Sequence, residues 1–289
     1  MPELPEVEVV KRSLESLISN LTIKAIKINE INLRYKVKTK EINQLVGLEL
    51  LKIRRRSKYL LFFFTKDIIM ISHLGMTGKF FFINKKKINK KTSFYYNLDE
   101  KKDNKHNHIS FTFKNGSKLI YNDVRKFGFI KIDKIKNLKE NSHLKTLGPE
   151  PLEKLFNFTY AKNYLSGKKR IIKDLLMDQK FVAGLGNIYV NEILFFSGIN
   201  PIKRANNLLD IEIREIIKNT KKILRKAIKF GGSSIKDFKN SLGRAGSFQQ
   251  CFSVYAKKGK YCSNTDCKEK IKKIVLSNRP SFFCPKCQK

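Results

Sequence analysis

Short apolar and aromatic runs, separated by polar turns, dominate the first half of the chain. The runs occupy residues 59–64, 68–71, 79–83, 109–113, 118–121 and 127–132. Their length and their aromatic content are typical of β-strands. Between two of them, the dipeptide Asn115-Gly116 predicts a hairpin turn. Residues 1–135 are therefore expected to form a β-sandwich or a β-barrel.

Helical periodicity appears before and after these strands. Within residues 6–20, apolar side chains recur at helical spacing, at positions Val7, Val10, Leu14, Leu17 and Ile18. Three later segments, 170–178, 187–197 and about 210–230, show the same spacing, with glycine at or just beyond the ends of the last two. Residues 84–107 are rich in Lys and Asn, which indicates a surface loop.

Two prolines and a glycine interrupt both periodicities in the segment Leu147-Gly-Pro-Glu-Pro-Leu152. We place a domain boundary there. The expected division is a β-rich domain at 1–135, a linker at 136–150, a helical domain at 151–250 and a cysteine-rich segment at 251–289. Residues 252–255, 274–276 and 281–283 of that last part favour β-structure. The fold class is therefore α+β.

The charge of the chain indicates a polyanionic partner. Its 289 residues include 61 Lys and Arg against 25 Asp and Glu, a formal net charge of +36. Nucleic acid and an anionic membrane surface are the usual partners of such a protein. No apolar run reaches the ~18 residues of a membrane span, and the first residues do not resemble a secretory signal. We therefore expect a cytoplasmic protein that does not associate with membranes.

Four of the five cysteines lie near the carboxyl end, in the pattern Cys262-x4-Cys267-x16-Cys284-x2-Cys287. Two close pairs at this separation are typical of a four-thiolate zinc site. Since all four positions would be filled by thiolates, we expect one structural Zn²⁺ without a catalytic role. Cys251 lies outside the pattern and is expected to be a small buried residue. Ten Lys and Arg in the same region indicate a contact with phosphate.

Two glycines precede the helix predicted to begin at Asn187. Free N–H groups at such a start can bind phosphate, although the same pattern also occurs in ordinary helical hairpins. The basic neighbours Lys168, Lys169 and Arg170, together with the zinc site, favour the phosphate interpretation.

The amino terminus has the composition of a nucleophilic site. Removal of Met1 would expose the secondary amine of Pro2 beside Glu3. An ordinary α-amine is roughly 10% neutral at pH 7, about 300 times the fraction for Lys. A secondary amine that attacks a sugar C1′ gives an iminium directly, and a nearby cation such as Lys58 would lower its pKa. The alternative is that Pro2 and Pro5 belong to a frayed turn.

Seven motifs, in order along the whole chain, resemble those of the bacterial formamidopyrimidine-DNA glycosylase family. They are Met1-Pro-Glu-Leu-Pro-Glu-Val-Glu8, Arg55-Arg-Ser-Lys-Tyr-Leu60, His73-Leu-Gly-Met-Thr-Gly78, Asp123-Val-Arg-Lys-Phe-Gly128, Leu147-Gly-Pro-Glu-Pro151, Gly184-Leu-Gly-Asn-Ile-Tyr189 and Asn278-Arg-Pro-Ser-Phe-Phe-Cys284. Leu4 favours this branch over endonuclease VIII. The resemblance implies an N-terminal β-sandwich with an N-terminal helix, a helical domain with a helix–two-turn–helix motif, and a β-hairpin zinc finger.

The resemblance also implies roles for individual residues. Pro2 would be the Schiff-base nucleophile, Glu3 the acid that assists sugar opening, and Glu6 their support. Lys58 would assist β-elimination, and Arg279 would grip the flanking phosphate and assist δ-elimination.

Further residues would contact DNA or the extruded base. Met76, Arg125 and Phe127 match the family's residues that fill the gap left by a flipped nucleotide. Other expected DNA contacts are Asn187, Lys169, His73 and His106, the last in competition with His108. A base pocket is expected at Ser233, Ser234 and Tyr255.

The expected function is a DNA glycosylase and abasic-site lyase that removes oxidised purines from double-stranded DNA and cleaves the strand by β,δ-elimination. Its substrates would carry oxidised bases or abasic sites, and we expect a monomer without a nucleotide cofactor. One alternative is an endonuclease VIII-like glycosylase for oxidised pyrimidines. The other is a lesion-binding protein without catalysis, which would have no need of an amine beside a carboxylate.

Overall fold

A computed structural model describes residues 1–84, 89–90, 104–233 and 247–289. The chain divides into two compact units. The first unit contains Met1–Lys145 and Phe230–Gln249, and the second contains Thr146–Lys229 and Gln250–Lys289.

The first unit has an N-terminal helix and two antiparallel sheets. Helix α1 is Leu4–Ile18, and the short α2 is Thr39–Asn43. The strands are β1 (Ile23–Ile28), β2 (Leu50–Arg56), β3 (Tyr59–Phe64), β4 (Ile68–His73), β5 (Lys79–Ile83), β6 (Asn89–Lys90), β7 (Asn107–Phe113), β8 (Lys118–Asn122) and β9 (Phe129–Lys134). One sheet has the order β1-β7-β8-β5-β6 and the other the order β2-β3-β4-β9.

The core of this unit collects apolar side chains from both sheets and from α1. Phe62 of one sheet lies edge-on to Phe80 of the other, with ring centroids 5.7 Å apart. Val10 and Leu14 belong to the same buried cluster. Side chains that interdigitate between two sheets are what defines a sandwich. The predicted β-sandwich with an N-terminal helix is therefore confirmed.

The second unit is helical and ends in a hairpin. Its helices are α3 (Phe158–Leu165), α4 (Ile172–Met177), α5 (Asn187–Phe196) and α6 (Asp210–Lys229), and the hairpin strands are β10 (Lys272–Leu276) and β11 (Arg279–Phe283). The turns between α4 and α5 are fixed by Gln179. Its amide donates to the carbonyls of Met177 and Leu185 and accepts from Gly184 N–H. These elements form the helix–two-turn–helix arrangement.

The glycine of the Leu147-Gly-Pro motif has a packing reason. A Cβ at Gly148 would lie 2.5 Å from the carbonyl oxygens of Lys180 and Phe181, closer than any side chain tolerates. The chain therefore passes directly against the α4–α5 turns. Among the described residues, no helix is both long enough and apolar enough to cross a membrane.

The expectation of β-structure at residues 252–255 is wrong. The segment follows a 3₁₀ turn at Phe248–Cys251 and forms bends. Three of its backbone N–H groups, those of Ser253, Val254 and Tyr255, donate to the buried carboxylate of Glu192 on α5 at 2.8–3.0 Å. Because a side chain satisfies these donors, the segment needs no partner strand.

Replacement of Glu192 by Gln is expected to destabilise the second unit by about 2 kcal/mol. The amide presents an NH₂ donor to backbone N–H groups that are already donors, so at least one buried group loses its partner. Denaturant unfolding of Glu192→Gln measures the effect. Glu215→Gln, at a partly exposed position of α6 whose carboxylate accepts only from side chains, is the control. Equal midpoints for the two variants would contradict the assignment.

Candidate functional site

The amino terminus is held by two buried carboxylates. Glu3 caps α1, and Glu6 at the third helical position accepts a 2.9 Å hydrogen bond from Glu3 N–H. Both acids are at most 3% exposed, and Pro2 is buried beside them. Carboxylates are stabilised at the positive end of a helix. The start of α1 thus places two acids next to the amino terminus.

The electrostatics of this point favour a neutral amine. Burial lowers the pKa of the Met1 amine below its ordinary value. The carboxylates of Glu3 and Glu6 act in the opposite direction, and the cations of Lys58 and Arg125 lower the pKa further. Since desolvation is the largest cause, the surroundings make an amine here a better nucleophile.

Lys58 lies in the tight turn between β2 and β3. Ser57 adopts a left-handed conformation with φ of 53°, and Lys58 is 7% exposed. The Arg55 guanidinium donates to the Ser57 carbonyl at 3.0 Å and to the Glu8 carboxylate of α1 at 2.9 Å. The turn that presents Lys58 is therefore tied to the helix that presents Glu3.

Glu6 has a second set of partners far along the chain. Its other oxygen accepts from Ser233 N–H at 2.7 Å and from Ser233 Oγ at 3.0 Å. The neighbouring Gly232 has φ of +83° and would place a Cβ 3.0 Å from the Glu6 carboxylate. Ser233 therefore belongs to the surroundings of the acids, while the predicted Ser234 lies outside the described residues.

Three of the predicted DNA contacts cluster on two neighbouring loops of the first unit. Met76, Arg125 and Phe127 are all exposed. The Arg125 guanidinium lies 4.4 Å above the Phe127 ring centroid, and one of its N–H groups donates to the Met76 sulfur at 3.1 Å. The structure brings these three side chains together.

The three histidines considered as DNA contacts differ in how accessible they are. His108 is 2% exposed, and its Nε2 lies 2.7 Å from the Asp123 carbonyl oxygen. His106 is more accessible and stays the predicted contact. His73 is largely buried, and its Nδ1 accepts a 3.0 Å hydrogen bond from Gly75 N–H. Its ring packs against Tyr59 and Phe129.

In the second unit, Arg279 occupies the tip of the hairpin. Ser277 and Asn278 form the turn in left-handed conformations, and Arg279 follows, exposed, at the start of β11. The next carbonyl, that of Pro280, accepts from the side chain of Asn187 at 2.9 Å and from Lys173 Nζ at 3.3 Å. Asn187 thus ties the start of α5 to the hairpin that presents Arg279.

The other two predicted residues of this unit, Lys169 and Tyr255, lie in different surroundings. Lys169 is exposed before α4. Tyr255 packs edge-on against Phe252 and Phe282, which makes it part of the hairpin core. Sequence reasoning missed the buried Lys173, whose only signal is a Lys at an inward-facing position of a short helix.

The four predicted zinc ligands come together. The sulfurs of Cys262, Cys267, Cys284 and Cys287 all lie within 4.8 Å of one another, and two pairs are 3.6 and 3.9 Å apart. A tetrahedral site with Zn–S bonds of about 2.3 Å requires sulfur separations of about 3.8 Å. The four-residue spacing in the first pair is accommodated. The cluster therefore fits a metal ion with four thiolate ligands.

Comparison with known proteins agrees with this geometry. The model of the formamidopyrimidine-DNA glycosylase N-terminal domain matches residues 1–130, and that of the H2TH domain of the same enzymes matches residues 147–239. The chain belongs to the formamidopyrimidine-DNA glycosylase family. A relative of that name from Rickettsia conorii is 40% identical over 288 residues, covering 100% of this chain and 99% of the relative.

Solved structures of the family have the same fold. Lactococcus lactis Fpg in complex with DNA containing an abasic site has a TM-score of 0.85 and 36% identity, with 99% of each chain covered. MutM in complex with DNA containing carbocyclic 8-oxo-G has a TM-score of 0.85 and 36% identity, with 100% of each chain covered. These likenesses support the described fold in both units.

The stability of the first unit is expected to fall in acid because of His73. Burial lowers the pKa of His73 to about 4, and the nearby Lys58, Arg34 and His143 contribute. The unfolded chain, with a pKa near 6.5, binds more protons between pH 6.5 and 4. The free energy of unfolding should therefore drop by up to about 3 kcal/mol as the pH falls through that window.

His73→Asn is the matched control, because its amide oxygen can accept from Gly75 N–H without titrating. Between pH 7 and pH 4, we expect the unfolding free energy of the wild type to fall more than that of His73→Asn. Parallel pH profiles from denaturant titrations would contradict this assignment.

Proposed function

We propose that the protein is a DNA glycosylase and abasic-site lyase of base excision repair that removes oxidised purines, 8-oxoguanine and formamidopyrimidines among them, from double-stranded DNA. The observation that carries the proposal is the amino terminus, where the buried Pro2 directly precedes the buried carboxylates of Glu3 and Glu6. Desolvation, Lys58 and Arg125 lower the pKa of the terminal amine there. A protein that only bound DNA would have no need of an amine beside these acids.

The chemistry begins when the Pro2 nitrogen, freed by removal of Met1, attacks the sugar C1′. The bond from C1′ to the damaged base breaks, and the base leaves with a proton. Glu3 protonates the ring oxygen as the sugar opens, which leaves an iminium between Pro2 and C1′. Glu6 holds Glu3 in place by accepting a hydrogen bond from the Glu3 backbone N–H.

Strand cleavage follows from the iminium. It acidifies the C2′ proton, whose removal expels the 3′ phosphate in β-elimination, assisted by Lys58. A second elimination releases the 5′ phosphate, and Arg279 at the exposed hairpin tip grips that phosphate as it leaves. Further contacts with the DNA would come from Asn187, Lys169, His73 and His106. The extruded base would contact Ser233, Ser234 and Tyr255.

The damaged nucleotide must leave the DNA double helix before the Pro2 nitrogen can reach its C1′. Met76, Arg125 and Phe127 supply the groups that fill the gap: a thioether, a guanidinium able to hydrogen-bond the orphaned base, and an aromatic wedge. The formal charge of +36 supports binding to the phosphate backbone. A chromosomal substrate would place this enzyme, which we expect to be a monomer, in the cytoplasm.

The metal of the cysteine cluster is proposed to be Zn²⁺ in a structural role. Four thiolates leave no open position for a substrate or a water molecule. When bound, the ion would stabilise a hairpin whose apolar core is small, and so fix Arg279. The four-part division at residues 135, 150 and 250 stays a prediction.

Borohydride trapping tests the main proposal. The purified protein is incubated with a duplex that carries one 8-oxoguanine opposite cytosine, reduced, and mapped by mass spectrometry. We expect one adduct, on the Pro2 nitrogen. A chain that keeps an N-terminal tag, in which the Pro2 nitrogen is an amide, should give none.

Other outcomes of the trapping experiment separate the alternatives. An adduct on Lys58 would contradict the proposed nucleophile. An adduct found only with an oxidised-pyrimidine duplex would favour the endonuclease VIII-like function. Tight binding without any adduct would leave a lesion-binding protein.

Loss of one zinc ligand is expected to weaken DNA binding. Cys284→Ser should lose its bound zinc, measured by atomic spectrometry, and its affinity for a lesion duplex should fall at least about tenfold, because phosphate contacts depend on an ordered hairpin. Cys251→Ser, outside the cluster, is the control and should keep both. Unchanged affinity in Cys284→Ser would contradict the structural role.

A further inference from the structure

The three side chains proposed to fill the duplex gap stand on two separate loops. Met76 lies on the loop that follows β4, residues 74–78. Arg125 and Phe127 lie on the loop between β8 and β9, residues 123–128. Nothing in the connectivity requires these loops to keep one relative position. Yet the guanidinium of Arg125 contacts both Met76 and Phe127.

One buried carboxylate joins the two loops. Asp123 is 0% exposed. One of its oxygens accepts from the Thr77 hydroxyl and from Arg125 N–H at 3.3 Å. The other accepts from Gly128 N–H at 2.8 Å and from the Tyr121 hydroxyl at 3.3 Å. The first oxygen thus reaches the Met76 loop through Thr77, and the second holds the end of the Phe127 loop.

Thr77 makes the connection reciprocal. Its hydroxyl donates to Asp123 and accepts from Arg125 N–H at 3.0 Å. The residue between Met76 and Gly78 therefore binds the backbone of the residue that carries the guanidinium. A hydroxyl suits this position because it is a donor and an acceptor at once.

The loop backbones also meet without room for side chains. A Cβ at Gly75, where φ is +60°, would lie 2.4 Å from the Phe127 carbonyl carbon. A Cβ at Gly128 would lie 2.1 Å from the Tyr121 hydroxyl oxygen and 2.5 Å from the His73 carbonyl oxygen. Close backbone packing and a shared carboxylate restrict the same two loops.

We propose that Asp123 and Thr77 are positioning residues that hold Met76, Arg125 and Phe127 as one preassembled surface for entry into the duplex. The inference rests on the proposed function. Extrusion of a base costs a few kcal/mol, and ordering flexible side chains at the same moment would add to that cost. A preassembled surface avoids the second cost. An abasic nucleotide has no base to unstack, so its cleavage depends less on this surface.

Thr77→Val tests the proposal, because it keeps the shape of the side chain and removes the hydroxyl. Single-turnover rates are measured for excision of 8-oxoguanine opposite cytosine and for cleavage of a preformed abasic site. We expect the ratio of the excision rate to the cleavage rate to fall at least about tenfold.

Thr77→Ser is the matched control, and it should restore the ratio because it keeps the hydroxyl. Thermal unfolding of both variants checks that the first unit stays folded. An unchanged ratio in Thr77→Val, or an equal loss of both rates, would overturn the proposal by assigning Thr77 no role or a purely structural one. Failure of the wild type to excise or to cleave would instead contradict the proposed function.

Discussion

The burial of Glu3 and Glu6 at the start of α1 is the constraint on which the candidate site depends. Two acids removed from water require donors, and the structure supplies Glu3 N–H and Ser233 N–H and Oγ to Glu6. The same arrangement buries Pro2 next to both acids. Desolvation lowers the pKa of the terminal amine and outweighs the opposing effect of the two carboxylates.

Buried acids and amides position the other functional loops as well. Asp123 joins the two loops that carry Met76, Arg125 and Phe127. Gln179 closes the turns before α5, and Glu192 binds three N–H groups of the segment that leads to the cysteines. Apolar packing builds both units, but polar side chains that accept from backbone N–H groups determine the shape of the loops.

Aromatic density made much of the fold predictable. Every predicted run in the first unit overlaps a strand, because buried strands are rich in apolar residues. Phe127, which begins the last run, lies in the loop before β9. β1 and β2 were missed because charged residues alternate with apolar ones in both, and Arg54, Arg55 and Arg56 obscure the pattern. Residues 252–255 were wrongly predicted as β-structure, because this apolar segment forms bends around Glu192. The candidate site was predicted from its motifs. The link from Glu6 to Ser233 joins residues 227 positions apart and leaves no local signal in the sequence.

The cations that contribute to the net charge of +36 differ in their surroundings. Arg279 is exposed at the hairpin tip and is free to meet phosphate. Lys173, directly beneath it, is fully buried and donates to Pro280 O and Ser281 Oγ. Burial lowers the pKa of Lys173 to about 8, with Asp174 opposing the shift and Arg279 adding to it. A cation with that environment cannot meet DNA directly. Its hydrogen bonds hold the strand that begins at Arg279, just as those of Asp123 join two loops of the first unit. Buried polar residues thus determine where exposed residues of the candidate site lie.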